Sequence, residues 1–314
     1  MTYVQRKEEE LKSKVIPQTK KDDFEAFWRE EVNKLRRLPI KYDITKLDMP
    51  YYKTFTTYEI AFNTHDRTIV KAWYSVPTGH EGEKLPCVAY FHGGGGWKTV
   101  YPDVVATGVC CFAIDVRTQG GTTVDKGEYN YFNFRGGIMA RDAIDKNSFA
   151  MKNMYLDAVR AIDVISVLPE VDPERIVAYG VSQGGALSIV AGALSGKVKK
   201  CYPIVPSFAC LEQRVEDGSG VFAATKDFLK VYPHHTDAVM DTLSYFDINN
   251  MVSLLEVPVS FCLGLMDSTC LPPYVYSSYV HTASSQKNIE LYPFTPHAVP
   301  EEFRYNVHRE FAAL

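Results

Sequence analysis

The chain has 314 residues, 46% hydrophobic and 23% charged, with a formal net charge of -4 and a pI near 6.1. That length can bury one large core, and the weak negative charge without any Lys/Arg cluster argues against a nucleic-acid or anionic-membrane partner. No apolar run approaches the ~20 residues of a membrane-spanning helix, so no membrane association is expected.

Residues 1–14 are charged and helix-prone, with no apolar stretch that could serve as a signal peptide. Residues 1–50 read as an N-terminal arm of two helical pieces. In the second, Phe24, Phe27, Trp28 and Leu35 recur at helical spacing, flanked by Asp22 and Asp23 before and Lys34, Arg36 and Arg37 after, as the helix dipole favours. The aromatic stripe is expected to be a docking face. Residues 52–75 alternate polar and apolar side chains and predict an antiparallel pair at a sheet edge.

From residue 85 the pattern changes to short apolar runs separated by helical stretches. Strands are expected at 87–91, 109–116, 176–179, 201–205, 257–263 and 289–292, with a long amphipathic helix over 153–168. Such alternation specifies a mostly parallel, doubly wound α/β sheet in a single domain. Two stretches, 122–148 and 208–250, exceed ordinary loop length and read as insertions, the second as a lid or subunit contact. Seven cysteines, several within apparent strands and none in a Cys-x-x-Cys pair, read as buried free thiols of a cytoplasmic protein without zinc or dithiol chemistry.

The chemistry centres on Gly180-Val-Ser-Gln-Gly184, which lies between the apolar run Arg175-Ile-Val-Ala-Tyr179 and a small-residue helix. Strand, Gly-x-Ser-x-Gly and helix together form a nucleophile elbow, with Ser182 at its apex. Asp172-Pro173 marks the turn that starts the strand. In an elbow hydrolase the acid and then the base follow the serine along the chain. Asp267 follows the strand at 257–263, and His297 follows that at 289–292. Asp247 competes for the acid role, although a helix cap explains it equally; His234, His235 and His281 compete for the base but fall in the insertion or a surface helix. The backbone N–H of Gln183 supplies one oxyanion donor. The loop Phe91-His-Gly-Gly-Gly-Gly-Trp97 matches the HGGG type that supplies the second.

These segments together resemble the acetyl xylan esterases and cephalosporin-C deacetylases, carbohydrate esterases of the α/β-hydrolase fold. The resemblance runs nearly end to end. It includes Asp23-Phe-Glu-Ala-Phe-Trp28, Asp115-Val-Arg-Thr-Gln-Gly120, Arg135-Gly-Gly-Ile-Met139, Asp157-Ala-Val-Arg-Ala-Ile162, the elbow, and the stretches 264–273 and 292–297. It implies Ser182 as nucleophile, Asp267 as acid, His297 as base, and Gly94 with Gln183 as the oxyanion donors. It further implies deacetylation of small acetylated carbohydrates without metal or cofactor, by a hexamer whose subunits restrict access to the site. Three positions depart from the family pattern: Gly94 replaces a tyrosine, Thr118 replaces a glycine between Arg117 and Gln119, and Ala298 replaces a glutamate after the histidine. An esterase of longer acyl chains or a peptidase is the alternative on the same fold. A non-catalytic binding protein would carry a broken triad, and this chain carries a whole one.

Overall fold

The computed structural model describes every residue except 81, 131–136 and 219. Helices α1 (Tyr3–Lys12) and α2 (Phe24–Arg36) precede three antiparallel strands, β1 (Tyr42–Lys46), β2 (Phe55–Asn63) and β3 (Ile69–Pro77). The chain continues through β4 (Leu85–Phe91), α3 (Pro102–Val105), β5 (Cys110–Asp115), α4 (Ala150–Ile165), β6 (Val171–Val181), α5 (Gln183–Ser195) and β7 (Lys200–Ile204). Helices α6 (Leu211–Asp217), α7 (Ala223–Val231), α8 (Thr236–Ser244) and α9 (Ile248–Met251) fill the long insertion. Last come β8 (Val259–Gly264), α10 (Pro272–His281), β9 (Lys287–Tyr292) and α11 (Glu301–Phe311).

One sheet runs in the order β1-β2-β3-β5-β4-β6-β7-β8-β9 and is parallel from β5 to β9. This is the expected α/β-hydrolase architecture. Helices cover both faces of the central strands, so β5 and β8 are buried at every position and read as unbroken apolar runs.

The largest departures from expectation are at β1, β6 and α4. The edge strand is β1, drawn from the presumed helical arm; four of its five residues are exposed, so it carries little apolar signal. Strand β6 starts at Val171, ahead of Asp172-Pro173. Its register with β4 shifts between Leu85 and Cys87, and Pro173 is tolerated in that irregularity because the ladder needs no N–H there. Helix α4 starts at Ala150 and ends at Ile165, three residues earlier at each end than the amphipathic pattern predicts.

The aromatic stripe of α2 docks as expected. Trp28 is fully buried, donates from Nε1 to the Tyr245 carbonyl (2.8 Å), and packs on Tyr155 and Phe246. Arg117 lies just past β5 and is fully buried. It forms two bonds to Asp157 of α4 (2.6 and 2.7 Å) and also binds Asp66 (2.7 Å) and Asp125 (3.0 Å). One guanidinium thus joins the β2–β3 turn, α4 and the 122–130 segment. Arg135 and Gly136, quoted for the resemblance, lie outside the described residues.

Candidate active site

The elbow forms because both of its glycines are required by contact. A Cβ on Gly184 would stand 1.8 Å from the Phe91 carbonyl oxygen, and one on Gly180 2.3 Å from the Gly184 backbone. Strand β6, the start of α5 and the end of β4 therefore approach more closely than any side chain allows. Ser182 sits between them at φ 57°, ψ -117°, a strained conformation for a non-glycine residue. Its N–H donates to Ile204 of β7 (2.9 Å), and its carbonyl accepts from Ala186 and Ser207. With the backbone held on three sides, the hydroxyl projects into a cavity of about 370 Å³ that His297, Gly94 and Gln183 also line.

Asp267 and His297 meet across the ends of β8 and β9. The carboxylate can only accept, so His297 Nδ1 carries the proton and donates to Asp267 Oδ2 at 2.7 Å. This leaves Nε2 as the proton acceptor of the ring. Asp267 is buried, and its Oδ1 accepts from the N–H groups of Thr269 and Cys270, both at 2.8 Å. A carboxylate so engaged fixes the orientation of the imidazole.

Cys270 is a residue that sequence reasoning missed. Its Sγ lies 4.0 Å from Ser182 Oγ and within 4.8 Å of a ring nitrogen of His297. Among the described residues no hydrogen bond joins Ser182 directly to His297; the thiol stands beside both, and such bonds commonly tighten only with substrate bound. The hydrogen bond to Asp267, followed by the neighbouring Cys270 sulfur, raises the imidazole above the ordinary histidine range, against the opposing effect of burial. The signal available beforehand was the three-residue spacing from Asp267 to Cys270 in a turn that must face the serine.

The glycine-rich loop is braced from below. His92 donates from Nδ1 to the Gly93 carbonyl (2.8 Å) and accepts the Val116 N–H at Nε2 (3.1 Å). Burial pushes its pKa down, favouring the neutral ring that this double role needs. Gln119 accepts the Gly95 N–H (2.6 Å) and donates to Gln183 Oε1 (3.2 Å). Arg117 and Gln119 therefore tie loops together beneath the site. Among the described residues, the backbone N–H groups of Gly94 and Gln183 have no protein acceptor. Both residues line the cavity that Ser182 enters.

The rival groups lie elsewhere. Asp247 caps α9 and accepts from the backbones of Cys210 (2.8 Å), Leu211 (2.7 Å) and Asn249 (2.8 Å). Burial pushes it up to about 6 against those three donors. His281 contacts the Ile16 carbonyl from the end of α10, and His234 and His235 pack against each other at a tilt in the insertion, ring centroids 4.2 Å apart. The insertion does reach the site: Phe208 and Phe222 give the cavity an aromatic lining, although Gly94 brings no side chain of its own.

Residues 1–313 match the family described as acetyl xylan esterase (AXE1). The acetyl xylan esterase from Paenibacillus sp. R4 superposes with a TM-score of 0.89 at 30% identity, covering 100% of this chain and 99% of its own. Acetyl xylan esterase 1 from Thermoanaerobacterium sp. JW/SL YS485 superposes with a TM-score of 0.88 at 25% identity, covering 97% and 98%. Acetyl esterase Axe7A of Xylanibacter ruminicola is 25% identical over 298 residues, which span 92% of this chain and 66% of that protein.

Proposed function

The chain belongs to the acetyl xylan esterase family, and from that premise we propose that it is a serine esterase removing acetyl groups from small acetylated carbohydrates. Acetylated xylo-oligosaccharides are the first substrates to expect, with cephalosporin C as a further one. The observation that carries the reading is the Asp267–His297 pair opening onto the cavity in which Ser182 stands on its elbow.

In the proposed reaction His297 Nε2 takes the Ser182 proton as Oγ attacks the ester carbonyl. Asp267 holds the tautomer, and the N–H groups of Gly94 and Gln183 receive the oxyanion. The C–O bond to the sugar then breaks, and His297 protonates the departing alcohol. Water attacks the acetyl-serine by the same route and releases acetate. Every step is carried by protein groups.

The cavity of about 370 Å³ is near the lower end of small-molecule sites and suits a short saccharide better than a polymer. The insertion acts as a lid in this reading, because Phe208, Val221 and Phe222 wall the cavity. The seven cysteines are all free and buried, which supports a reducing, cytoplasmic setting. A homohexamer follows from the family resemblance, and sedimentation of the purified protein checks it.

Ser182→Ala is expected to lower turnover of an aryl acetate by on the order of a millionfold, and to abolish labelling by a fluorophosphonate. Retention of most activity would remove Ser182 from its role. A series of aryl esters of increasing chain length distinguishes an acetyl esterase from one of longer acyl chains, which would turn over the longer esters faster.

A further inference from the structure

Arg214 on α6 lines the same cavity as Ser182 and His297, yet is only 7% exposed. Its guanidinium lies over the Phe222 ring (4.8 Å) and near that of Tyr274 (5.9 Å). Among the described residues it has no ion-pair or hydrogen-bond partner for its side chain, and Nη1 is shut off from solvent with nothing to bind. Asp217, one turn further along, is engaged by the Tyr274 hydroxyl (2.8 Å). The contrast with Arg117, surrounded by three carboxylates, is sharp. Aromatic faces attract a cation, but they leave the in-plane N–H fork unfilled. A second donor in the cavity wall, Gln183 Nε2, is also buried without an acceptor. Burying an unpaired cation is unfavourable unless something else supplies the anion.

We propose that Arg214 binds a carboxylate on the substrate, so that the preferred alcohol is an acetylated sugar acid, a uronate, rather than a neutral sugar. The inference rests on the acetyl esterase reading and narrows it. An acetyl group carries no anion, so the charge must belong to the alcohol half of the ester. A planar carboxylate fits the guanidinium fork through two N–H bonds. The reaction is unchanged: one water is consumed, and acetate and the free uronate leave.

The test compares a mono-O-acetylated methyl glucuronoside with its carboxyl methyl ester, two substrates that differ only in the charge. For the wild-type enzyme kcat/KM is expected to be about tenfold or more higher on the free acid, mainly through KM, as a charge-assisted hydrogen bond allows. Arg214→Gln is expected to bring the acid-to-ester ratio to about one, and Arg214→Lys to restore part of it. Independently of any variant's folding, glucuronate is expected to inhibit the wild-type enzyme competitively where glucose does not. Equal rates on acid and ester in the wild-type enzyme, or equal losses on both in Arg214→Gln, would overturn the inference while aryl acetate turnover kept the esterase reading. Failure to cleave any acetyl ester, aryl acetate included, would overturn both.

Discussion

His297 carries its proton more tightly than a free histidine because Asp267 and Cys270 both favour the charged ring. In the proposed reaction the base must be neutral to accept the Ser182 proton, so activity is expected to fall as pH drops through the raised pKa. The acid limb of kcat/KM is therefore expected above the ordinary value of about 6.5. Cys270→Ala removes one of the raising contacts and is expected to move that limb toward lower pH, measured in a pH–rate profile with an aryl acetate. An unmoved limb would mean that the thiol does not act on the imidazole. That Ser182, Asp267 and His297 come together was legible in the sequence, because each follows a strand and the elbow pattern orders acid and base after the serine. Cys270 and Arg214 were not. A lone cysteine reads as one more small buried side chain, and an arginine on a short helix reads as surface until the packing around it is known.

Among the elements, the two ends of the insertion are clasped together by Asp247, whose carboxylate ties the start of α6 to the start of α9. Asp247→Ala leaves the buried N–H groups of Cys210 and Leu211 without acceptors. The expected loss is about 2–4 kcal/mol, read as a lower urea midpoint. The docked arm gives a comparable case: Trp28→Ala opens a cavity against Tyr155 and Phe246 and is expected to cost about 3–5 kcal/mol by the same measurement. The parallel strands were readable because burial on both faces produces unbroken apolar runs. Strand β1 was hidden because an edge strand facing solvent has no such run, and the early start of β6 was hidden by Pro173, which normally argues for a turn. The helices of 208–250 were foreseen only as an insertion, since their short amphipathic pieces carry no strong period.

Across the molecule, Arg117 links segments more than 90 residues apart in the chain, from Asp66 to Asp157. Arg117→Met leaves three carboxylates facing one another with no cation between them. Unfolding free energy is expected to fall by about 3–5 kcal/mol in chemical denaturation, and Arg117→Lys to recover little, because a single ammonium cannot form the same fork. The class of sheet was legible in the alternation of runs. The crossing of β4 and β5 was not, because nothing in either run says which neighbour it will choose. The segment 208–250 contributes no strand among the described residues, yet it brings Phe208, Arg214 and Phe222 to the cavity. In the reaction proposed above, bond cleavage belongs to the strand ends and recognition of the alcohol to the insertion, a graft that can be exchanged. Transplanting that graft between relatives would carry substrate taste with it and leave the hydrolytic engine where it stands.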